Sequence, residues 1–366
     1  MNRKQFIILL VVVVVLGVAG WIIRQHHSTS WQSAGQSIGE KLLPNLPVND
    51  IAQIHIQSGT SDLTLARKDD RWRVQQRGDY PADFSRISDL LVKLSDLKVI
   101  QSDEAGPSQL GRYELLPSGP TTGAGTLVEM KDASGKTVAS LLLGKNHVKQ
   151  GGGNSQFGDN GPDGRYVMTG AAQGSVALIS DPLDTITAAP KDWLDKTFFK
   201  IENPKSITAT FPAATNSWKL VRASETNDWQ LADAKPGEKL DASKLGEVMT
   251  PFNSPSFDDV TPGAATLTNT TSLMVETFDG FTYAAEIGAQ ADGDYPLTIS
   301  VSANLPGNGQ TNLVDKLGVE KQFSNWTYQV PSYAVDPFLK VRNQLLVETN
   351  SSSTNAPPAA PAETEK

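Results

Sequence analysis

The sequence predicts an α+β protein, in which an N-terminal single transmembrane helix is followed by two tandem related halves, each an antiparallel sheet with packed helices. Three observations lead to this prediction. They are an unbroken apolar run from Phe6 to Ile23, an internal repeat in the rest of the chain, and short segments with period-two apolar spacing. Segments of that last kind are typical of half-buried antiparallel strands.

The apolar run from Phe6 to Ile23 indicates a single membrane span. As a helix its residues would reach roughly 27 Å, which is close to the hydrocarbon thickness of a bilayer. Arg3 and Lys4 precede the run and only Arg24 follows it closely. Because cytoplasmic flanks carry the excess of Lys and Arg, residues 1–24 predict a cytoplasmic N-terminus and an anchor in the cytoplasmic (inner) membrane. The bulk of the chain would then be extracytoplasmic (periplasmic).

A cleaved secretory signal is the alternative for the same segment. Val18-Ala19-Gly20 supplies small residues of the kind that a signal peptidase accepts. The apolar stretch continues through Trp21-Ile22-Ile23, however, which exceeds the apolar core of about 7–15 residues usual in signal peptides. An uncleaved anchor is therefore favoured, and both alternatives export the rest of the chain.

Composition excludes several classes of function. The chain has no cysteine, which excludes disulfides, thiolate catalysis, cysteine-based zinc sites and a lipoprotein anchor. It carries 32 Lys and Arg against 40 Asp and Glu, and three of the basic residues lie in residues 1–24. The remainder therefore holds 29 basic against 40 acidic residues. Since a strongly acidic chain repels polyanions, we expect no nucleic-acid partner.

The chain beyond the anchor divides into four predicted segments. Residues 25–47, rich in polar residues, predict a stalk, and residues 348–366 predict a disordered tail because they offer no large apolar side chain to bury. Between them lie a first α+β half at 48–200 and a second at 201–347. Asn203-Pro204 marks the break between the halves.

The two halves are predicted from an internal repeat. Leu63-Thr-Leu-Ala-Arg67 and Arg71-Trp-Arg-Val74 recur as Trp218-Lys-Leu-Val-Arg222 and Asp228-Trp-Gln-Leu231. Trp72 then corresponds to Trp229, and Asp83 to Asp241, at separations of 157 and 158 residues. Because the two tryptophans share one repeat position, we interpret both as core residues rather than as a sugar-stacking surface.

Helices are predicted where a cap precedes an apolar stripe. Asp83 can accept hydrogen bonds from first-turn amides, and apolar residues at three and four spacing run from Phe84 to Leu97. A second helix-like run follows Asp241. Asp181-Pro182 predicts a further helix start, and a closing helix is predicted from about Ser332.

Strands are predicted from the alternating segments and the turns between them. In the first half they lie around Ile51–Ile56, Leu63–Leu65 and Trp72–Val74, and at Thr126–Met130, Thr137–Leu143, Tyr166–Thr169 and Val176–Ile179. In the second half they are Leu273–Thr277, Thr282–Ile287, Leu297–Val301 and Thr327–Val330.

Histidines, glycine-rich runs and acidic runs yield no predicted catalytic, cofactor-binding or metal site. His26 and His27 lie at the membrane edge, while His55 and His147 lack the spacing of a metal pair or a nucleophile partner. Two further motifs are Gln150-Gly-Gly-Gly-Asn154, which lacks the ending of a phosphate loop, and Asp159-Asn-Gly-Pro-Asp-Gly164, which lacks the downstream Glu of a calcium loop. We interpret them as a flexible insertion and a tight turn.

Several loose motifs in a fixed order carry a resemblance to a known family. They are Arg71-Trp-Arg-Val74, Ala82-Asp83, Leu110-Gly-Arg-Tyr113, Thr137 to Gly144, Gly164-Arg-Tyr-Val167 and Trp193-Leu-Asp-Lys196. In this order they resemble a bacterial membrane-anchored domain-of-unknown-function (DUF) family associated with gliding-motility-type ABC transport systems. The sequence departs from the family pattern at Leu110 to Pro117 and at Gln150 to Gly164. The resemblance implies an integral membrane partner such as an ABC permease and implies no catalytic residue.

Two classes of function follow from these predictions. The first is a non-enzymatic, membrane-anchored extracytoplasmic protein that serves as an auxiliary or scaffolding component of an ABC-type transport or cell-envelope assembly. The second is an envelope ligand-binding module or hydrolase that acts on glycan, lipid or peptide at a site between the two halves. The first class predicts stable membrane partners, and the second predicts a pocket with convergent polar groups.

Overall fold

The structure is a computed structural model that describes residues 38–148, 161–170, 175–253, 255–305 and 311–348. The chain divides into two compact units between Asp195 and Lys196, which we call unit 1 and unit 2.

Unit 1 is built on one nine-stranded antiparallel sheet and one long helix. Its elements are β1 (Ile51–Ser58), β2 (Ser61–Lys68), β3 (Arg71–Val74), β4 (Tyr80–Pro81), α1 (Phe84–Asp96), β5 (Val99–Glu104), β6 (Thr126–Asp132), β7 (Thr137–His147), β8 (Gly164–Thr169) and β9 (Ser175–Ile179). The strand order is β4-β3-β2-β1-β6-β7-β8-β9-β5. Short 3-10 helices include Leu110–Tyr113 and Pro190–Trp193.

The long helix of unit 1 forms where the cap and the apolar stripe predict it. The Asp83 carboxylate accepts hydrogen bonds from the amides of Ser85 and Arg86, which satisfies two of the unpaired first-turn donors. The buried side chains recur at three and four spacing, so one face of α1 turns inward; they are Ile87, Leu90, Leu91 and Leu94. The predicted helix after Asp83 is confirmed.

The chain before β1 is part of the folded unit. The Gly39 amide donates to the Val99 carbonyl at 2.7 Å, and the Leu42 amide donates to the Leu97 carbonyl at 2.8 Å. Leu42 is buried. Residues 39–42 therefore pair with the chain that leaves α1.

Unit 2 contains an eight-stranded antiparallel sheet. Its elements are β10 (Pro204–Thr210), β11 (Trp218–Val221), β12 (Gln230–Leu231), α2 (Ala242–Asn253), β13 (Asp259–Pro262), β14 (Thr271–Thr277), β15 (Phe281–Ile287), β16 (Asp294–Ala303), α3 (Thr311–Glu320), β17 (Trp326–Pro331) and α4 (Ser332–Val335). The strand order is β12-β11-β10-β14-β15-β16-β17-β13. If β10 is matched to β1 and β13 to β5, this is the order of unit 1 without β4.

The predicted α+β class is wrong. Strand accounts for 39% of the structure and helix for 24%, so the protein is mostly antiparallel sheet. The prediction missed strands without a strong apolar alternation, such as β5 and β13. Sheet partners hold such polar segments in strand form even though their own sequence does not favour it.

The transmembrane part of the predicted fold is also not supported. No helix among the described residues is long and apolar enough to cross a membrane. The predicted span, Phe6 to Ile23, lies outside the described residues, as does the predicted tail from residue 349 onward.

Other predicted elements can be compared directly with the structure. The predicted strands from Ile51 to Ile179 and from Leu273 to Val330 are confirmed, and the closing helix begins at Ser332 as predicted. The helix start at Asp181-Pro182 is wrong. Asp181 instead accepts a hydrogen bond from the Leu183 amide at 2.7 Å, and Leu183 has φ +53°, which a helix does not permit.

Candidate functional site

An open groove in unit 2 has both polar and apolar walls. Its volume is about 530 Å³. It is lined by Lys200, Ile201, Glu202, Asn203, Pro204, Arg222, Trp229, Met249 and Phe252. Small-ligand sites typically measure roughly 300–1,000 Å³, so the groove has the size of such a site.

Three parts of unit 2 position these side chains. One wall is the segment 200–203, which leads into β10. Arg222 and Trp229 lie at the two ends of the connection between β11 and β12, and Met249 and Phe252 come from α2. The groove therefore lies where the β11–β12 hairpin meets the helix α2 that follows it.

The guanidinium of Arg222 is the fixed cation of the groove. Its Nε donates to the Pro204 carbonyl and its Nη1 donates to the Glu225 carbonyl, both at 2.7 Å. Its Cζ lies 4.9 Å from the ring centroid of Trp229 and 5.6 Å from that of Phe278. Among the described residues, no carboxylate lies within ion-pair distance of Arg222.

Glu202, in contrast, is neutralised by lysines. Its carboxylate lies 2.9 Å from Lys200 Nζ and 3.4 Å from Lys316 Nζ. The hydrogen bond from Lys200, together with the charge of Lys316, holds the pKa of Glu202 below its usual range. Glu202 is therefore a poor general base near neutral pH, because a base needs a pKa close to the working pH.

An apolar cavity of about 50 Å³ adjoins the groove. It lies beneath α2 and α4, against one face of the unit 2 sheet, and shares Ile201 and Phe252 with the groove. Both of these side chains are buried. They separate a polar opening from an apolar interior.

A second polar cluster in unit 2 has a structural role. Buried Glu320 accepts a hydrogen bond from the Tyr283 hydroxyl at 2.7 Å and one from the Lys200 amide at 3.3 Å. Burial and the hydrogen bond to Glu320 raise the pKa of Tyr283 above its ordinary value. This cluster ties the wall of the groove to β15 and α3.

In the structure, His55 and His147 both lie beside carboxylates. His55 Nε2 lies 2.7 Å from Asp62 and its Nδ1 lies 3.5 Å from Glu129, while His147 Nδ1 lies 2.6 Å from Asp163. In the described part of the chain, no group of three or more His, Cys, Asp or Glu side chains has a geometry that could hold a metal ion.

The other motifs singled out in the sequence can be placed only in part. His26, His27 and Gln150–Asn154 lie outside the described residues, and of the motif 159–164 the structure describes residues 161–164. Gly164 is the first residue of β8, and Asp163 is bonded to His147 as described above. Neither the phosphate-loop nor the calcium-loop idea gains support from these contacts.

The two tryptophans that share a repeat position have different surroundings. Trp72 is buried within β3, as predicted, whereas the prediction that Trp229 is a core residue is wrong. Trp229 is half-buried and lies just before β12, where it lines the groove. Sequence reasoning missed the groove for this reason.

One signal in the sequence could have found it. Arg67 and Trp72 are five positions apart, whereas Arg222 and Trp229 are seven apart. The longer connection moves Trp229 out of the strand and places its ring against the arginine.

The fold and the groove together define a class of protein. A protein of this class has two antiparallel-sheet units that share a strand order, apart from the extra strand β4 of unit 1, and its second unit carries a cationic groove with an aromatic wall. The chain belongs to the family Domain of unknown function (DUF4340), whose model matches residues 72–272. The predicted membership of a domain-of-unknown-function family is thereby confirmed, and the match carries no information on membrane anchoring or ABC transport. Neither the comparison with curated proteins nor the one with solved structures gave a match.

Proposed function

We propose that the protein is a non-enzymatic, extracytoplasmic auxiliary or scaffolding component of an ABC-type transport or cell-envelope assembly. In this proposal, the apolar run from Phe6 to Ile23 holds the chain at the cytoplasmic (inner) membrane. The observation that carries the proposal is the make-up of the groove. A fixed guanidinium and an aromatic ring lie there beside Lys200 and Glu202, which form an ion pair with each other.

Three side chains of the groove could act on a proton or a phosphate, and each is already engaged. Lys200 and Glu202 neutralise each other, and Arg222 is held by carbonyl oxygens and rings. Among the described residues that line the groove there is no Ser, Thr, Cys, His, Asp or Tyr. A site of this composition favours recognition over covalent chemistry.

The sequence supplies the remaining support. The apolar run and its basic flank favour export of the bulk of the chain, and the resemblance described above favours an ABC permease as partner. The acidic balance beyond residue 24 favours a protein that stays away from polyanions.

Co-purification tests this proposal. The full-length protein, tagged at its C-terminus and expressed at its native level, is extracted in mild detergent, and the co-eluting proteins are identified by mass spectrometry. We expect an ABC permease and its ATPase to be recovered repeatedly. Their recovery should be lost when residues 38–348 are replaced by an unrelated exported domain. Recovery of the protein alone, even after crosslinking, would contradict the proposal.

A second candidate function is a ligand-binding module of the cell envelope. The groove favours it, because its size and its mixture of polar and apolar walls suit a small ligand. The hydrolase version of this candidate gains no support from the groove, whose one carboxylate has a lowered pKa. Binding of a ligand without turnover would separate the two versions.

A further inference from the structure

We propose that the unit 2 groove binds a ligand that carries an oxyanion, either a carboxylate or a phosphate, on a small apolar body. This inference deepens the second candidate function, the ligand-binding module, and rests on it, whereas the auxiliary or scaffolding role needs no small ligand. Because binding is measured on the protein alone, failure of this inference can be distinguished from failure of the co-purification test.

The first argument is the charge of the groove. Among the described residues that line it are two cations, Lys200 and Arg222, and one carboxylate, that of Glu202, which is shared between Lys200 and Lys316. The groove therefore carries excess positive charge in a chain whose net charge is −8. A local positive site on an acidic protein attracts anions that the rest of the surface repels.

The second argument is the edge of the Arg222 guanidinium that carries Nη2. Two of its three guanidinium nitrogens bond to carbonyl oxygens, and Nη2 donates to no described residue. The fork geometry of guanidinium matches carboxylate and phosphate oxygens better than any neutral acceptor. Because carbonyls and two rings already fix the side chain, little rotamer entropy is lost when an anion binds.

The third argument is the apolar part of the lining. Trp229 and Met249 are half-buried, and Phe252 is buried at the boundary with the apolar cavity. Because Ile201 and Phe252 separate the groove from that cavity, the apolar body of the ligand would lie against the groove wall and not in the cavity. A ligand with a compact apolar body would cover these side chains while its oxyanion reaches Arg222.

Unit 1 supplies an internal contrast. Arg67 holds the repeat position of Arg222, but it forms an exposed ion pair with Asp70 at 3.0 Å. Trp72, the counterpart of Trp229, is buried. The arginine of unit 1 is therefore already neutralised by an anion of the protein itself, and the Arg67→Gln variant is a matched control.

Ligand-observed fluorine NMR on the full-length protein in lipid nanodiscs tests the inference. The probes are 4-(4-fluorophenyl)butyrate and 4-fluorophenyl phosphate, with 4-(4-fluorophenyl)butanol and 4-(4-fluorophenyl)butylamine as neutral and cationic controls. We expect at least one anionic probe to broaden in the presence of the protein, and neither control to do so beyond its partition into empty nanodiscs. Binding of the butyrate alone, of the phosphate alone or of both supports the inference and identifies the oxyanion.

Variants then assign the binding to the groove. We expect Arg222→Gln to weaken binding of the anionic probe at least about tenfold, because a charge-assisted hydrogen bond is lost, and Arg67→Gln to leave it unchanged. Arg222→Lys keeps the charge but loses the fork, so an intermediate affinity is expected. If Arg222→Gln fails to fold, Arg222→Lys and Trp229→Leu provide the same comparison.

Several results would overturn the inference. They are equal binding of the butanol or butylamine probe, unchanged affinity in the folded Arg222 and Trp229 variants, and no binding by either anionic probe. These results would leave the co-purification test of the proposed function untouched.

Discussion

In both units, a segment near the C-terminal end of the unit pairs with the residue that caps the helix after the first strands, but the side chain at the pairing position differs. The Asp83 amide donates to the Trp193 carbonyl, and the Asp241 amide donates to the Leu345 carbonyl, both at 2.9 Å. Trp193 and Leu345 are both buried. The comparison shows that backbone pairing fixes the closing segment in each unit, while the side chain that fills the core there is free to differ.

The units differ more where hairpins and loops change length. A two-residue turn, Asp69-Asp70, joins β2 to β3, whereas residues 222–229 join β11 to β12. The short turn keeps Trp72 in a strand and pairs Arg67 with Asp70; the long one releases Trp229 and leaves Arg222 without a carboxylate. The longer connection in unit 2 therefore accompanies a groove that includes Arg222 and Trp229.

The connection after β5 is a second place where the two units differ in loop length. In unit 1 it runs from Ala105 to Gly125 and buries Leu115, while the matching connection after β13 spans only Gly263 to Thr270. A side chain at Gly144 would collide with the Tyr113 carbonyl, so this longer loop lies directly against β7. In unit 2, where the connection is shorter, Met274 on β14, the strand that follows it, is 46% exposed.

The largest expected effect comes from emptying the closing position. Trp193→Ala should cost unit 1 about 3–5 kcal/mol of unfolding free energy, because a large buried side chain leaves a cavity. The indole also donates to the Thr187 carbonyl at 2.9 Å, and Arg86 lies over its ring. Leu345→Ala should cost unit 2 somewhat less, within about 2–5 kcal/mol. Segment-resolved hydrogen exchange at several denaturant concentrations measures both losses.

The control for this pair is Trp193→Phe, which keeps most of the volume and loses the hydrogen bond. It should cost clearly less than Trp193→Ala. If Trp193→Ala weakened protection equally in both units, the idea that each unit has its own core would be wrong.

A smaller effect is expected from the buried cation of unit 2. Arg342 is 8% exposed and bonds to Asp233 at 2.7 Å and Glu238 at 2.8 Å, and these bonds raise its pKa. Arg342→Met should lower the unfolding free energy of unit 2 by roughly 2 kcal/mol, since bonds to charged groups are lost. In unit 1, Arg67→Met removes only an exposed ion pair and should change stability by less than about 0.5 kcal/mol. Urea unfolding of the two variants distinguishes these outcomes, and equal losses would contradict the comparison.

Much of the strand pattern could be predicted from the sequence because alternation and turn residues are local signals. The cap at Asp83 and the stripe after it are likewise local, and both are confirmed. The fold class was wrong because β5 and β13 owe their form to neighbouring strands, as in the pairing of Val260 with Tyr328. The partner strands are distant in the chain, so the local sequence of β5 or β13 does not reveal the pairing.

The candidate site was not predicted for a related reason. Arg222 and Trp229 meet Met249 and Phe252 only after the helix packs beside the hairpin, and no spacing rule links these positions. The prediction placed Trp229 in the core because it assumed that two tryptophans at the same repeat position are equally buried. The two-residue difference in spacing is the physical signal that the environments differ.

Acid should destabilise unit 2 more than unit 1. Hydrogen bonds lower the pKa of Glu202, Asp233, Glu238 and Asp241 in unit 2, and in unit 1 they lower the pKa of Asp83 and Asp132. A carboxylate whose pKa is lowered on folding stabilises the folded state. This stabilisation is fully present above the pKa of the unfolded chain, about 4, and is lost as the pH falls through the pKa of the folded state.

Pepsin digestion between pH 2 and 5, followed by mass spectrometry, locates this loss. Fragments from unit 2 should appear at a higher pH than fragments from unit 1. In Arg342→Met the pH dependence of the unfolding free energy of unit 2 should become shallower, because Asp233 and Glu238 no longer have their partner, and unit 2 fragments should appear at no lower a pH than in the native protein. Simultaneous cleavage of both units in the native protein would show that these bonds do not set their acid stability.

The smallest expected effect tests what the two units share. Asp83 and Asp241 each accept hydrogen bonds from the amide and the hydroxyl of the serine two residues later, Ser85 or Ser243, and from the amide of the next residue. Asp83→Ala should lower the melting temperature of unit 1 by roughly 2–4 °C, the usual effect of losing an N-cap. Asp241→Ala should lower that of unit 2 by a similar amount, because the cap geometry is the same, and Asp→Asn at either position should recover most of the loss. Scanning calorimetry with segment-resolved exchange compares the two; a loss in one unit alone would mean that the helix of the other unit is held by its packing rather than by its cap.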